Sequence, residues 1–355
     1  MIRKTRKQFP GIPGEAAVPC LTSTPGLRPS GGLAAALLTL TLLPGKAADA
    51  PAATIRPAQA TRVRALRLAG GPIIRQDMPN VKGRNTNGPS LIRAPDFIAH
   101  PLGKYYLYFA DHHGQRVSLA YADAPTGPWT AVKGGVLSLD QTACKKHIAS
   151  PDVHVDPVKK ELLMYFHGPA RDGGKQLTYL ARSTDGLHFT AGRQALGPSY
   201  FCVFQHDGWF YTITKREGTG NIYRSRDGIT PFEAGPALIP NLRHSGVLAD
   251  GDVLWLFYTK IGDAPERIFA TRINLAQDWA QWKISMSEPQ LVLKPEEVWE
   301  GAQAPLVPSV SGGAKGGRVN QLRDPAIFRE GDRTYMTYAC AGETGLAIAE
   351  LVFEK

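Results

Sequence analysis

The sequence has few cysteines, almost no helical periodicity and no catalytic metal-binding motif. Its four cysteines form no Cys-x-x-Cys pair, so nothing in their spacing indicates a metal site. The nine histidines include no His-x-x-Glu-His pattern, which argues against metal-driven hydrolysis. The apolar run at residues 31–43 (GGLAAALLTLTLL) is too short for a membrane span.

Glycine and proline, in contrast, are abundant, with 37 and 28 residues. Together with 43% hydrophobic and 20% charged residues, this composition is typical of a globular chain with many turns and few long helices. A length of 355 residues is enough for a large buried core.

Residues 1–50 have a composition of their own. A basic start (MIRKTRKQ) precedes the apolar run, and Ala48-Asp49-Ala50 follows as a small-residue cleavage pattern. This order predicts a secretory leader over residues 1–50, with cleavage near Ala50 and release to the periplasm or the outside. Residues 51–87 are then predicted to be an N-terminal extension, and residues 88–355 the main domain.

Removing the leader lowers the net charge. The whole chain has 41 Lys and Arg against 31 Asp and Glu, and 35 against 29 remain after residue 50. No dense basic run remains, so we expect no nucleic-acid partner. Three cysteines also remain (Cys144, Cys202 and Cys340), and an oxidising compartment would allow one disulfide of unknown pairing.

The mature region repeats one pattern. Five units open at IRAPDFIAH (92–100), IASPDVHVD (148–156), GPSYFCVFQ (197–205), LRHSGVLAD (242–250) and LRDPAIFRE (322–330). Each continues with short β-rich runs separated by Gly, Asp and Pro turns, and an insertion at 285–320 separates units four and five. A repeated four-stranded unit predicts an all-β, five-bladed β-propeller.

The last unit ends after three strands, which leaves an open sheet edge. The stretch TRVRALRLAGG (61–71) alternates in the manner of a strand. We therefore expect this N-terminal segment to supply the missing outer strand and close the ring.

Aspartates occur beside a proline in three of the opening segments. Asp96, Asp152 and Asp324 are predicted to occupy the same entrance position in units one, two and five, while Tyr200 and His244 take that position in units three and four. Because these units are neighbours in a closed ring, the three carboxylates should face one funnel. Converging carboxylates favour cleavage of glycosidic bonds by acid–base catalysis.

Other polar and aromatic side chains near this mouth are candidates for sugar binding through stacking and hydrogen bonds. The predicted substrate-binding residues are Arg93, His154, Tyr200, Arg243, His244, Trp299 and Arg323.

The layout resembles glycoside hydrolase family 43 and its diverged five-bladed relatives. The resemblance rests on APDF, SPDVHVD, LRDPAIF and APTGPW, and covers roughly residues 88–355. It implies a secreted, inverting hydrolase of plant or algal glycans. That family uses two aspartates and a glutamate on the third blade as general acid, but GPSYFCVF contains no acidic residue. Glu217 lies nearby in a connecting loop, and Glu266 and Glu300 are better candidates.

These considerations lead to one catalytic assignment. Asp96 is the expected general base, Asp152 the modulator or second acid, and Asp324 orients the substrate or shares the acid role. Glu300, beside Trp299 in the insertion, is the leading candidate for the proton donor.

The histidines raise the question of a metal. His147, His154, His167 and His244 lie in or beside inner or second strands, and His112 and His113 follow a second strand. No catalytic metal is expected. A structural Ca²⁺ on the axis near His244 is the one cofactor that the pattern leaves open.

Two alternatives share the fold. One is a non-catalytic glycan-binding propeller, and the other is a lyase or other sugar-modifying enzyme that uses His and Tyr as acid and base. In each case the partner is a carbohydrate, and we expect a monomer with no membrane span in the mature form.

Overall fold

The computed structural model describes residues 55–83, 85–112, 114–284, 289–311 and 317–355. The predicted leader at 1–50, His113 and parts of the 285–320 insertion lie outside these residues. In the described residues the chain is all-β, with four short 3₁₀ turns at Pro57–Gln59, Leu139–Gln141, Trp279–Gln281 and Val298–Glu300. No helix in these ranges is long and apolar enough to cross a membrane.

Twenty-two strands are present in the described ranges. The first eleven are β1 (Arg62–Arg67), β2 (Ile74–Arg75), β3 (Asn87–Arg93), β4 (Tyr105–Ala110), β5 (Arg116–Ala122), β6 (Thr130–Ala131), β7 (Leu137–Ser138), β8 (Ala149–Asp156), β9 (Glu161–Pro169), β10 (Gln176–Ser183) and β11 (Thr190–Ala191). The others are β12 (Gly197–His206), β13 (Trp209–Arg216), β14 (Thr219–Ser225), β15 (Glu233–Ile239), β16 (Leu242–Asp250), β17 (Val253–Lys260), β18 (Ile268–Asn274), β19 (Gln290–Leu293), β20 (Arg323–Glu330), β21 (Arg333–Cys340) and β22 (Gly345–Glu354).

These strands pair in sequence order as antiparallel meanders. The runs β3 to β6, β8 to β11, β12 to β15 and β16 to β19 correspond to units one to four, except that β11 is a short partner of β10. The second and third runs are joined by a short pairing of β10 with β12. The repeat predicted from the sequence is therefore confirmed as a succession of small antiparallel sheets.

The last sheet includes the N-terminal strand. β20, β21 and β22 form its first three strands, and β1 pairs with β22 over its whole length, from Arg62 opposite Glu354 to Arg67 opposite Ala349. This confirms the predicted partner of the segment at 61–71. The pairing removes an exposed edge from the last strand of the chain.

The first sheet begins earlier than the sequence predicted. Its inner strand β3 is NGPSLIR at 87–93, and the predicted opening segment IRAPDFIAH overlaps only its end. The segment that resembled the other openings therefore leads out of the strand into a turn at 96–97. This shift changes the position of Asp96.

The apolar core lies between neighbouring sheets. Tyr106 and Leu119 of the first sheet, for example, belong to the same buried cluster as Met164 and Phe166 of the second. The inner strands approach closely at the centre: a Cβ atom on Gly88 would lie 2.5 Å from the Cα atom of Ser150. All three described cysteines are free, so no disulfide links the sheets in this structure.

Candidate active site

The five inner strands share one irregular feature. In β3, β8, β12, β16 and β20 the pairing register shifts between Asn87 and Ser90, Ala149 and Asp152, Ser199 and Cys202, Leu242 and Ser245, and Arg323 and Ala326. Such shifts mark β-bulges, which redirect side chains and are common at active sites. In each of these strands the bulge lies near the first residues, and we call this end of the strand the bulge end.

The bulges define which residues are truly equivalent. Gly88, Ser150, Tyr200, Arg243 and Asp324 follow the first residue of each shift. Four of them have left-handed backbone conformations, with φ of 53°, 47°, 65° and 52° for Gly88, Ser150, Tyr200 and Asp324. A bulky residue such as Tyr200 rarely adopts this conformation, and such strain is concentrated at functional sites.

The predicted equivalence of Asp96, Asp152 and Asp324 is therefore wrong. Asp324 occupies the bulge position of β20 and comes directly before a proline. Asp152 comes directly after a proline and lies two positions beyond Ser150, the bulge position of β8. Asp96 is exposed in the turn beyond β3 and lines a separate shallow groove with Arg93. Arg93 is also exposed and pairs with Glu330 at 2.8 Å, so neither residue lies at the central cavity.

One central cavity runs along the inner strands and brings together several of the other predicted residues. Asp152, His154, Tyr200, His244 and Asp324 all line it. Asp152 Oδ2 accepts a hydrogen bond from the Val203 backbone nitrogen at 2.7 Å and lies 2.9 Å from His154 Nε2. Burial lowers the pKa of His154, but the Asp152 carboxylate outweighs it and the pKa is raised above its usual value.

Asp324 is the most perturbed acid in this cavity. It is 6% exposed, and its Oδ1 lies 3.1 Å from His244 Nε2. Burial, together with the charge of Glu343, raises the pKa of Asp324 to about 7. Burial and the neighbouring Arg243 hold the pKa of His244 well below its usual value. Near pH 6 the pair is consequently a neutral carboxylic acid beside a neutral imidazole.

This pair retains unused hydrogen-bonding capacity. Asp324 Oδ2 and both ring nitrogens of His244 are buried and have no hydrogen-bond partner within the described residues. Buried polar atoms nearly always have partners, and exceptions at a cavity wall indicate a place where substrate or water binds.

Glu343 is a site residue that the sequence reasoning missed. It lies in the turn between β21 and β22 with φ of 79°, and it is completely buried. Its Oε1 lies 2.9 Å from both His112 Nε2 and Arg323 Nη1, and Asn87 Nδ2 donates to Oε2 at 3.2 Å. Burial alone would raise its pKa, but His112 and Arg323 lower it to about 2. Its only sequence signal is a glutamate in the turn AGETG.

Arg323 connects Glu343 to a second buried carboxylate. Arg323 Nη2 lies 2.7 Å from Glu266 Oε2 and also donates to the side-chain oxygen of Gln321. Arg243 Nε lies 3.8 Å from Glu266 Oε1, and Thr259 donates to the same oxygen at 2.8 Å. The predicted site residues Arg243 and Arg323 thus belong to a buried charge network that also contains Glu266 and Glu343.

Aromatic rings form one wall of the site. The Tyr200 ring lies between the rings of His167 and His244, with centroid separations of 4.2 Å and 5.2 Å. Burial raises the pKa of Tyr200 to about 12, so its hydroxyl remains protonated at neutral pH. Lys215 Nζ lies 5.6 Å from the centroid of the same ring.

Glu300 and Trp299 lie elsewhere. Glu300 is completely buried, accepts hydrogen bonds from Arg67 and from the Tyr338 hydroxyl, and also binds the backbone nitrogens of Glu296 and Glu297. Trp299 packs against the apolar cluster of the last two sheets, and neither residue lines the central cavity. These contacts favour a structural role for Glu300, which holds β1 against the insertion, over the predicted role of proton donor.

The axial Ca²⁺ that the sequence leaves open has no ligand set in the described ranges. They contain no group of three or more His, Cys, Asp or Glu side chains that is placed to hold a metal ion. His244 faces Asp324, and His147 Nε2 lies 3.2 Å from the Gln176 side-chain amide. No set of described residues is therefore available to bind an axial Ca²⁺.

The site combines two carboxyl groups with opposite ionisation. Asp324 retains its proton to about pH 7, while Glu343 is ionised from about pH 2. Environments that separate the pKa values of neighbouring acids in this way provide a proton donor and a fixed negative charge together.

No protein-family profile matches the chain. Among solved structures, it is similar to a glycoside hydrolase of family 130 that targets β-1,2-mannosidic linkages in Candida mannan (TM-score 0.57, 13% identity, 84% of this chain and 96% of the other). It is also similar to a family 43 enzyme from Xanthomonas citri in complex with xylotriose (TM-score 0.55, 12% identity, 80% and 90%). At these identities the likeness shows the fold, which is that of the β-propeller glycoside hydrolases.

A closer relative by sequence is an uncharacterized protein of Acanthamoeba polyphaga mimivirus. The two proteins are 36% identical over an alignment of 302 residues that covers 75% of this chain and 83% of the viral protein. By this similarity, the chain belongs to the same family as the mimivirus protein.

Proposed function

We propose that the protein is a glycoside hydrolase whose proton-transferring carboxyl is Asp324. The observation that carries the proposal is the buried Asp324 at the cavity wall, with a pKa raised to about 7 beside the ionised Glu343. A carboxyl with a pKa near neutrality is suited to general acid catalysis. The propeller fold shared with glycoside hydrolases supports the same chemistry.

The reaction then follows from the residues at the cavity. Asp324 donates its proton to the glycosidic oxygen as the bond from the sugar carbon to that oxygen breaks. Asp152, which lines the same cavity with a quarter of its side chain exposed, takes a proton from the attacking water. Two carboxyls that act through one water give inversion of the anomeric carbon. Glu343 keeps the proton on Asp324 through its charge.

The proposed architecture is a closed five-bladed propeller whose inner strands surround this cavity. The five register shifts, together with the pairing of β1 with β22, support five blades with the N-terminal strand closing the last. A central cavity between five short blades favours chain ends and short oligosaccharides. Plant or algal glycans are the proposed substrates, and secretion through the leader at 1–50 is part of the same proposal.

Asp324→Asn is the direct test. The secreted form is assayed on aryl glycosides and on xylo-, galacto- and manno-oligosaccharides, with the anomer of the product identified by NMR. Asp324→Asn should lower kcat by about a hundredfold or more, the scale of general acid catalysis. Asp96→Asn, in the exposed turn, is the matched control and should retain full activity. Full activity of Asp324→Asn would refute the assignment.

A lyase is the second candidate, and the stacking of Tyr200 between two histidines favours it. A neutral His244 would remove the proton from the carbon beside a sugar carboxylate, and the glycosidic oxygen would leave by elimination with a proton from the Tyr200 hydroxyl. The product would carry a carbon–carbon double bond that absorbs in the ultraviolet. If the protein forms an ultraviolet-absorbing product and Tyr200→Phe abolishes its formation, the reaction is an elimination and not a hydrolysis.

A further inference from the structure

The central cavity is more open to solvent at the end of the inner strands that lies opposite the bulges, which we call the far end. At the bulge end, the side chains of His244 and Asp324 are only 3% and 5% exposed. Further along the strands, the side chains of Asp152, Arg329 and His154 are 25%, 32% and 36% exposed, and all three line the same cavity. A substrate therefore reaches the cavity from the far end.

A shallow groove between the first two sheets begins where the cavity ends. Val155 of β8 is exposed and lines both the cavity and the groove. On the opposite wall, Ile92 of β3 lines the cavity and the next residue, Arg93, lines the groove. The cavity and the groove thus meet on both walls and form one path along the surface.

The groove has an apolar floor and charged side chains beside it. Phe97 is half-buried and packs against the apolar cluster of the first two sheets, and Val155 and Pro157 are exposed next to it in the groove. Arg93 and Lys160 are exposed and line the same groove. Ligand sites for small organic molecules commonly combine apolar and aromatic side chains with a few polar groups. A sugar ring, with apolar C–H faces and hydroxyls at its edge, matches this surface.

The spacing along β8 distinguishes a single sugar from a chain of sugars. Val155 follows Asp152 by three residues, which corresponds to about 10 Å along a strand. A monosaccharide held beside Asp152 therefore ends short of the groove. A longer chain with its terminal unit in the cavity extends past Val155 and onto the Phe97 ring.

We propose that the groove formed by Phe97, Val155 and Pro157 is a carbohydrate subsite that binds the outer units of an oligosaccharide whose terminal unit lies in the central cavity. The inference rests on the proposed function for the reaction. It deepens that function, because it gives the direction from which the substrate enters and a preference for oligosaccharides over monosaccharides.

Chain-length dependence of binding tests the subsite. The full chain carrying Asp324→Asn is titrated in a calorimeter with xylo-, galacto- and manno-saccharides of one to four units, so that binding is measured without turnover. In at least one series the affinity should rise with chain length. Adding Phe97→Ala should weaken binding of the longest saccharide by about fivefold or more, since an aromatic contact is lost, and should leave the monosaccharide unaffected.

Two further variants accompany Phe97→Ala. Val155→Gln places a longer polar side chain at an exposed position where the cavity meets the groove, and it should have the same effect without removing a core contact. Leu102→Ala is the matched control, because Leu102 lies in the same loop after β3 and is 42% exposed, but lines neither the cavity nor the groove. It should bind every saccharide as its parent does.

The outcomes separate the subsite from the proposed function. The subsite is wrong if affinity rises with chain length in none of the three series, if folded Phe97→Ala and Val155→Gln keep the full rise, or if Leu102→Ala loses it as well. Asp324-dependent cleavage of aryl glycosides without a chain-length effect on binding would leave the hydrolase standing and remove the subsite. Length-dependent binding that Phe97→Ala abolishes, with no glycoside cleaved by the native protein, would do the reverse.

Discussion

His244 and Asp324 approach each other to 3.1 Å inside the central cavity, and each is more than nine-tenths buried. Neither residue carries a charge near pH 6, since burial depresses the pKa of the imidazole and raises that of the carboxyl. Although the two residue types suggest a salt bridge, the pair is a protonated acid beside a neutral base. This relationship leaves Asp324 with a proton near pH 6, as the proposed role of proton donor requires.

The ionisation of Asp324 should also cost stability. Its pKa is about 7 in the folded protein and about 3.8 when exposed, so the folded state binds more protons between these values and its stability falls as pH rises through this window. Asp324→Asn removes the ionisable group, so the variant does not lose this stability as pH rises. Urea unfolding of both proteins at pH 4 and pH 8 should show the variant gaining stability relative to the native protein at the higher pH. A stability difference that does not change with pH would contradict this prediction.

Glu343 should set the pH at which Asp324 loses its proton. After burial, the charge of Glu343 is the next largest factor that raises the pKa of Asp324. Glu343→Gln removes this charge, so the alkaline limb of the activity profile should move to lower pH. Glu350→Gln is the control, because Glu350 pairs with Arg333 at 2.7 Å on the outer strands, and it should leave the limb in place. An unmoved limb in Glu343→Gln would show that the two acids are not linked.

Glu300 should matter for folding and not for chemistry. Glu300→Gln weakens a buried pair with Arg67 and should lower the free energy of unfolding by about 3 kcal/mol, since breaking buried ion pairs is costly. Arg64→Gln, which breaks the exposed pair with Glu354, should cost less than about 1 kcal/mol. Chemical denaturation gives both values. The kcat of folded Glu300→Gln should match the native value, and a hundredfold drop would restore Glu300 as the proton donor.

The close approach of the inner strands is testable at Gly88. Its φ of 53° and the 2.5 Å separation of an added Cβ from Ser150 Cα predict that Gly88→Ala lowers the free energy of unfolding by at least about 2 kcal/mol. Gly251→Ala has a similar backbone penalty, with φ of 58°, but meets no atom within 4 Å and should cost only about 1 kcal/mol. If both variants lose the same free energy of unfolding in thermal or chemical denaturation, the inner strands must move apart at this contact to accept the added methyl group.

The repeat, and the pairing of the N-terminal segment with the last sheet, could be predicted from the sequence, because both depend on local alternation and turn residues. The pairing of β1 with β22 was predictable from a missing fourth strand and an alternating segment at 61–71. In the structure, Asp152, Tyr200, His244 and Asp324 line one cavity. Their lining of a common cavity follows from their positions in the inner strands of a repeating fold.

The pairing register at the bulges could not be predicted from the sequence. Asp96 stands beside a proline just as Asp152 does, yet it lies past the end of its strand, since hydrogen-bond pairing and not the motif determines where the strand begins. Glu343 could not be identified because its partner His112 is 231 residues away and comes close only in the folded chain. Glu300 was misleading for a similar reason, as its partner Arg67 is 233 residues distant.

The most direct test of the account is the pH dependence of kcat/KM for the native protein and Asp324→Asn on one cleaved glycoside. The native activity should fall as pH rises above about 7, where Asp324 loses its proton. Asp324→Asn should retain about a hundredth of the native activity or less and lack this alkaline limb. A variant that keeps the native limb, or a native profile without one, would contradict the assignment of Asp324 as the acid.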